Sequence, residues 1–250
     1  MNNLRMQDKS NSTQKNFNAY IDGFNLYKGA LEDRPDLKWL DLIGLCRDLM
    51  PNIILNKVYY FAAPLKNRFP GDNANERQAT YLRVLEHSGI EIVLGHFRRD
   101  ASWQRLTTKS RTQTLQPVLP SMIGISQLAL NRSWDAASPD VPKANIWTHK
   151  EKGSDVNLAS YLLRDIYKKA CDSALVISGD SDLATAIRFS TEEGAYIKVV
   201  FPNRNRVPDA LKSAAGSFET LRTQELRNNQ FSETYFTKSG RQIRRPATWN

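Results

Sequence analysis

The sequence is poor in the features that announce the commoner kinds of site. It has two cysteines, Cys46 and Cys171, in 250 residues, and no CxxC pair. That excludes a disulfide scaffold and a cysteine-built zinc site. The two thiols are expected to be small buried side chains in a reducing compartment. Three histidines, His87, His96 and His149, are too scattered to make a zinc site by themselves. No apolar run approaches the roughly 20 residues that span a bilayer. The opening MNNLRMQDKSNSTQKN lacks the apolar stretch of a secretory leader. A cytoplasmic protein with no membrane association is expected, with residues 1–16 a disordered tail. No GxGxxG follows the first apolar segment, which argues against a dinucleotide enzyme.

What the chain has in excess is positive charge. Lys and Arg number 35 against 26 Asp and Glu, a formal charge of +9. Such a surface attracts polyanions, nucleic acid first among them. Hydrophobic residues at 40% are enough for a sizeable core in one large domain.

Strand and helix patterns alternate along most of the length. Strands are predicted at 17–21, 53–62, 90–97, 144–148, 173–178 and 195–201. Helices are predicted at 37–49, 74–87, 155–169 and 183–193, with two short helical pieces at 207–215 and 217–227. Alternation of this kind argues for an α/β fold with a central, mainly parallel sheet covered on both faces. Residues 100–143 break the rhythm, being rich in Ser, Thr, Gln, Arg and Pro, and are expected to be a long loop inserted in a domain of residues 17–228. Residues 229–250, ending SGRQIRRPATWN, are expected to be a basic surface tail.

Ligands of open parallel sheets bind beyond the carboxyl ends of the strands. Asp22 ends the first strand, Asp180 follows strand 173–178 after one glycine, and Asp182 comes two residues later. Asp155 opens the helix after strand 144–148, on the same helical face as Leu158, Leu162 and Ile166. Four acids from three distant segments should therefore meet on one rim. Each has a plainer use, as a turn residue, a helix-dipole partner or a cap, but a shared edge favours a common site. Clustered carboxylates repel one another, and a hard dication such as Mg²⁺ or Mn²⁺ relieves the repulsion while binding phosphate oxygens. Asn25 could orient a ligand or a water, and Ser178 could hydrogen-bond a carboxylate. His96, Arg98, Arg99, Lys150 and Lys152 are the candidate nucleic-acid contacts near this rim. Arg105, Lys109 and Arg111, with Trp103 among them, form an aromatic and basic stretch suited to single strands.

Three segments, YIDGFNLYKGAL, EKGSDVNLASYLLRDIY and VISGDSDLATAIR, resemble the NYN domain family, in particular the LabA-like or DUF88 branch of the PIN-like nucleases. The resemblance covers roughly residues 19–227. It implies a PIN-like three-layer α/β/α sandwich and metal-dependent cleavage of RNA, single-stranded or structured, with Mg²⁺ or Mn²⁺. The family's acidic positions fall on Asp22, Asp155, Asp180 and Asp182, and its accompanying asparagine on Asn25. Many relatives carry a further Asp on the middle helix, where this chain has Tyr161; Asp165, one turn on, is the candidate substitute, although it lies on a different face. The competing expectation is a catalytically silent RNA-binding or protein-interaction module of the same fold. A haloacid-dehalogenase-type phosphatase is disfavoured, because Phe24 occupies the position of its second aspartate. Endo- against exonucleolytic action and homo-oligomerisation are left open.

Overall fold

In the computed structural model, residues 15–65, 67, 71–105, 107–109, 115–117, 134–135, 138–202 and 208–249 are described, with 97–151 described as backbone. They form two compact units, one comprising the described residues up to His96 and from Lys152 onward, the other Phe97–Glu151.

The first unit is built on six strands. In chain order its elements are β1 (Asn16–Asp22), α1 (Gly23–Leu26), α2 (Leu42–Leu49), β2 (Ile54–Ala62), α3 (Ala74–Ser88) and β3 (Glu91–Leu94). After the second unit, whose five strands are described below, come α4 (Ser154–Tyr167), β9 (Ser173–Ile177), α5 (Ala184–Glu192), β10 (Tyr196–Phe201), α6 (Asp209–Ala214), β11 (Ser217–Thr220) and α7 (Thr223–Asn228). The sheet order is β11-β10-β9-β1-β2-β3, and every pairing is parallel. Chain order runs outward in both directions from the β1/β9 pair, so the topological switch point lies there, at the centre of the sheet.

The period-two alternation of β1 creates the three layers. Phe17, Ala19 and Ile21 point into one apolar cluster, with Leu42 and Leu45 of α2 and Val84 and Leu85 of α3. Tyr20 points the other way, into a second cluster with Leu158, Leu162 and Ile166 of α4 and Ile187 of α5. The sheet is thus covered on both faces, as expected of a PIN-like sandwich. Among the described residues no helix is long and apolar enough to cross a membrane. Both cysteines are free and buried.

Three segments differ from expectation. Residues 217–220 are not helical; they form β11, which pairs with β10. Four residues are too few for periodicity to separate a strand from a helical turn. Residues 229–249 are not a surface tail. They carry the antiparallel hairpin β12 (Thr234–Phe236) and β13 (Gln242–Arg244), and Ile243 is buried. Trp249 packs 6.1 Å from Trp39 and 6.0 Å from Tyr81, while the Trp39 indole donates to the Ser232 carbonyl at 2.8 Å. The basic residues of this segment masked an aromatic anchor that closes the core from outside. At the other end, residues 1–14 lie outside the described residues, and β1 begins at Asn16.

The third difference is the second unit. Where residues 100–143 are described, most are in strands rather than loop. β4 (His96–Arg105), β8 (Ser138–Lys152) and β7 (Trp134–Asp135) form one sheet in the order β4-β8-β7. β5 (Thr107–Lys109) and β6 (Leu115–Pro117) form an antiparallel pair. The expected strand 144–148 belongs to β8 and not to the parallel sheet. Its flanks explain why. β8 contains Pro139, Pro142, Lys143, Lys150 and Glu151, whereas a strand buried on both faces reads as a continuous apolar run, as SALVI of β9 does.

Candidate active site

The site is assembled at the carboxyl edge of the sheet, at its switch point. β1 delivers Asp22, and the segment after β9 delivers Ser178, Gly179 and Asp180. The register pairs Ile21 with Ile177, so both strands run out at the same level.

Asp22 is 2% exposed and is held from three directions. Its Oδ1 accepts from the Asn25 backbone N–H at 2.9 Å, which caps α1. Its Oδ2 accepts from Asn25 Nδ2 at 2.6 Å and from Ser178 Oγ at 2.9 Å. Burial pushes the Asp22 carboxyl above the usual carboxylate range; these hydrogen bonds pull it back, and Asp180 pushes it up again. Two glycines make the close approach possible. A Cβ on Gly23 would stand 2.6 Å from the Tyr60 ring, and one on Gly179 would stand 2.8 Å from Phe201 and 3.2 Å from Asn25 Oδ1.

Asp180 accepts from the Asp182 backbone N–H at 2.9 Å and caps the short 3-10 turn Ser181–Leu183. The capping role weighed from sequence is therefore real, but it occupies only Oδ1. The Asp182 side chain is exposed. Asp155 stands in the first turn of α4, one turn before buried Leu158. Its own carboxylate is exposed at the end of that stripe. Partial loss of solvent around it, and then the charges of Asp22, Asp180 and Asp182, push the Asp155 carboxyl up to about 6. The four acids thus share one electrostatic site, although α4 enters it from β8 rather than from a strand of the main sheet.

The fit to a hard dication is one of chemistry. The donors are all carboxylate oxygens, and their mutual repulsion is what a divalent ion would relieve. Among the described residues, no three His, Cys, Asp or Glu side chains are close enough to make a ready-formed metal cage.

The expected nucleic-acid contacts divide between the units. His96 and Lys152 are exposed in the first unit. Arg98 and Arg99 lie on β4 and Lys150 on β8, in the second unit, and their side chains are outside the described residues. The same holds for Trp103, Arg105 and Lys109, while Arg111 lies outside altogether.

Asp165 takes no part in the rim. It is 3% exposed and accepts from Asn18 Nδ2 at 3.0 Å, Tyr20 Oη at 2.9 Å and Arg164 Nε at 2.8 Å. Tyr161 packs edge-on against Tyr59 and Phe61, with the Arg164 guanidinium 4.1 Å from its ring centre. Where many relatives are expected to place another acid, this chain has an aromatic and cationic stack. Asp165 therefore does not substitute for the missing acid: its carboxylate is taken up by Asn18, Tyr20 and Arg164, a buried network that Asn18 and Tyr20 on the strand could have signalled.

Comparison with known proteins bears on the same residues. The NYN domain profile matches residues 18–222. The chain belongs to the NYN domain family. That places it in a superfamily whose members are generally nucleases. The NYN match takes in all four rim aspartates, Asn25 and the switch-point strands. The chain is also 27% identical over 246 residues to a Pseudomonas putida protein named 6-hydroxy-3-succinoylpyridine 3-monooxygenase, covering 88% of this chain and 72% of that one. A solved structure of a Vibrio parahaemolyticus protein of unknown function aligns over 87% of this chain and 98% of its own, at 13% identity and a TM-score of 0.45.

Proposed function

We propose that this NYN domain protein is a metal-dependent ribonuclease. The observation that carries the reading is the junction at the switch point, where Ser178 Oγ donates to Asp22 and accepts from the Asp180 backbone N–H, with Asp155 close enough to feel the charges of Asp22, Asp180 and Asp182. Asp22, Asp155 and Asp180 would hold Mg²⁺ or Mn²⁺, and Asp182 would ligate it or position water. Bound there, such an ion neutralises charge on a phosphodiester and lowers the pKa of water. The chain's own residues do the rest. Asn25 and Ser178 donate to the Asp22 carboxylate, opposing the upward push of its burial, and fix its orientation. Water adds to phosphorus as the opposite P–O bond breaks, one of its protons reaching the departing oxygen through solvent, and Asp182, exposed beside Asp180, would orient that water. The net charge of +9 supports a polyanionic substrate.

A second reading comes from the relative named as a monooxygenase, because the similarity extends over most of this chain. On that reading the rim would take a pyridine carrying an acidic side chain. The missing GxGxxG after β1 disfavours a nucleotide-binding oxidoreductase of the Rossmann type. A catalytically silent binding module remains the third reading.

One experiment separates them. Labelled single-stranded RNA is incubated with pure protein in Mn²⁺, Mg²⁺ or EDTA, beside 6-hydroxy-3-succinoylpyridine with dioxygen and a reductant. Metal-dependent RNA products with an unchanged pyridine support the nuclease. Hydroxylated pyridine with intact RNA replaces it by the second reading, and RNA bound but uncut replaces it by the third.

A further inference from the structure

The short helix that begins at the site continues as a π-helical turn, Tyr27–Leu31. Its inward face is fixed by Leu26 and Leu31, both buried in the core. Its outward face carries two aromatic rings, Phe24 at 45% and Tyr27 at 39% exposure. Single exposed apolar side chains are ordinary on any surface. Here two rings lie three residues apart, the spacing of side-chain neighbours on a helix, and the first follows Asp22 by two residues. A cation accompanies the second. Lys38 Nζ stands 5.0 Å from the Tyr27 ring centre and 3.4 Å from its hydroxyl. Lys28, on the same face, is paired with Glu32. Lys38 makes no ion pair among the described residues, so its charge is available to a ligand.

We propose that Phe24, Tyr27 and Lys38 form the track that leads single-stranded RNA to the carboxylates, with successive bases stacked on the two rings and a phosphate paired with Lys38. The proposal rests on the nuclease reading and names its substrate as unpaired RNA. A duplex offers no free base faces, whereas exposed rings beside a cation suit a strand whose bases are splayed out. The track lies wholly in the first unit and uses none of the basic residues singled out in the sequence.

The test is fluorescence anisotropy of a labelled oligouridylate with full-length Asp180→Asn protein, which separates binding from cleavage. Each base–aromatic stack contributes about 1–3 kcal/mol. Phe24→Ala and Tyr27→Ala should therefore each weaken binding by about fivefold or more, with circular dichroism unchanged. Phe24→Trp should restore affinity and Phe24→Leu should not. An abasic oligomer should bind the parent and the alanine variants alike. Lys38→Gln should lower the salt slope by about 0.7, one phosphate contact on a single strand. Unchanged affinity in Phe24→Ala and Tyr27→Ala, while the otherwise wild-type protein cuts RNA, overturns the track and leaves the nuclease standing. Ring-dependent binding by a protein that never cuts keeps the track and removes the nuclease. Absence of any oligomer binding overturns both.

Discussion

Ser178 Oγ donates to Asp22 Oδ2 across 2.9 Å, tying the carboxyl end of β9 to that of β1 where the strand order of the sheet reverses. The bond does two things at once. It supplies a donor to a carboxylate that is 2% exposed, and it fixes the direction in which that carboxylate faces the rim. Ser178→Ala should leave the protein folded but push Asp22 further toward its neutral form. Losses of about tenfold in Mn²⁺ affinity are typical when a partner of a metal ligand is removed. Isothermal titration of Mn²⁺ into the variant checks this, and unchanged affinity would show that Asp22 is not a ligand.

Asp155 sets a pH dependence. Its carboxyl is pushed up to about 6 by partial desolvation and by three neighbouring acids. A ligand must be ionised, so metal affinity and cleavage should fall as pH drops through about 6, approaching tenfold per unit below it. Mn²⁺ titrations at several pH values between about 5 and 8 would show the inflection. A flat profile across that range would remove Asp155 from the site.

The same acids should destabilise the metal-free protein. The folded pKa of Asp155 lies above its unfolded value, so the folded state binds more protons between about 4 and 6. Relative stability is therefore full below that window and is lost as pH rises through it. Asp155→Asn should flatten this dependence and stabilise the metal-free protein at neutral pH. Because Asp155 is solvent-exposed, screening limits the gain to about 1 kcal/mol or less. Thermal melts in EDTA would register it. Adding Mn²⁺ should raise the melting temperature of wild type more than that of the variant.

Asp165 predicts the opposite pattern. It anchors Asn18, Tyr20 and Arg164 in a buried network at the other end of α4. Asp165→Ala leaves those donors unpaired and should lose about 3 kcal/mol of stability. Mn²⁺ affinity of the folded fraction should be unchanged. Denaturant melts paired with metal titration distinguish a structural acid from a ligand.

These contrasts show what the sequence could and could not reveal. SALVI is a nearly continuous apolar run and FNAYI is apolar but for Asn18, so the two central strands, and the positions of Asp22 and Asp180 just after them, were legible. Helical spacing put Asp155 in line with Leu158, Leu162 and Ile166; those three are buried, Asp155 itself is exposed at the end of the stripe, and the strand thought to precede it lies in another sheet. The strands described within residues 100–143 were not legible, because a stretch rich in Ser, Thr, Gln, Arg and Pro carries no apolar alternation. Trp249 was hidden among the arginines of the last segment, since its partners Trp39 and Tyr81 are far away in sequence. The exposed rings of Phe24 and Tyr27 sat in plain view, but only their exposure beside Lys38 gives them a role.

The central claim is that the carboxylate rim cuts RNA. The most direct measurement is cleavage of labelled single-stranded RNA by wild type and by Asp22→Asn, each in Mn²⁺ and in EDTA. The account predicts products only from wild type with metal, and a loss of at least a hundredfold in the variant at unchanged fold. Equal cleavage by the two proteins, or cleavage that persists in EDTA, would contradict it.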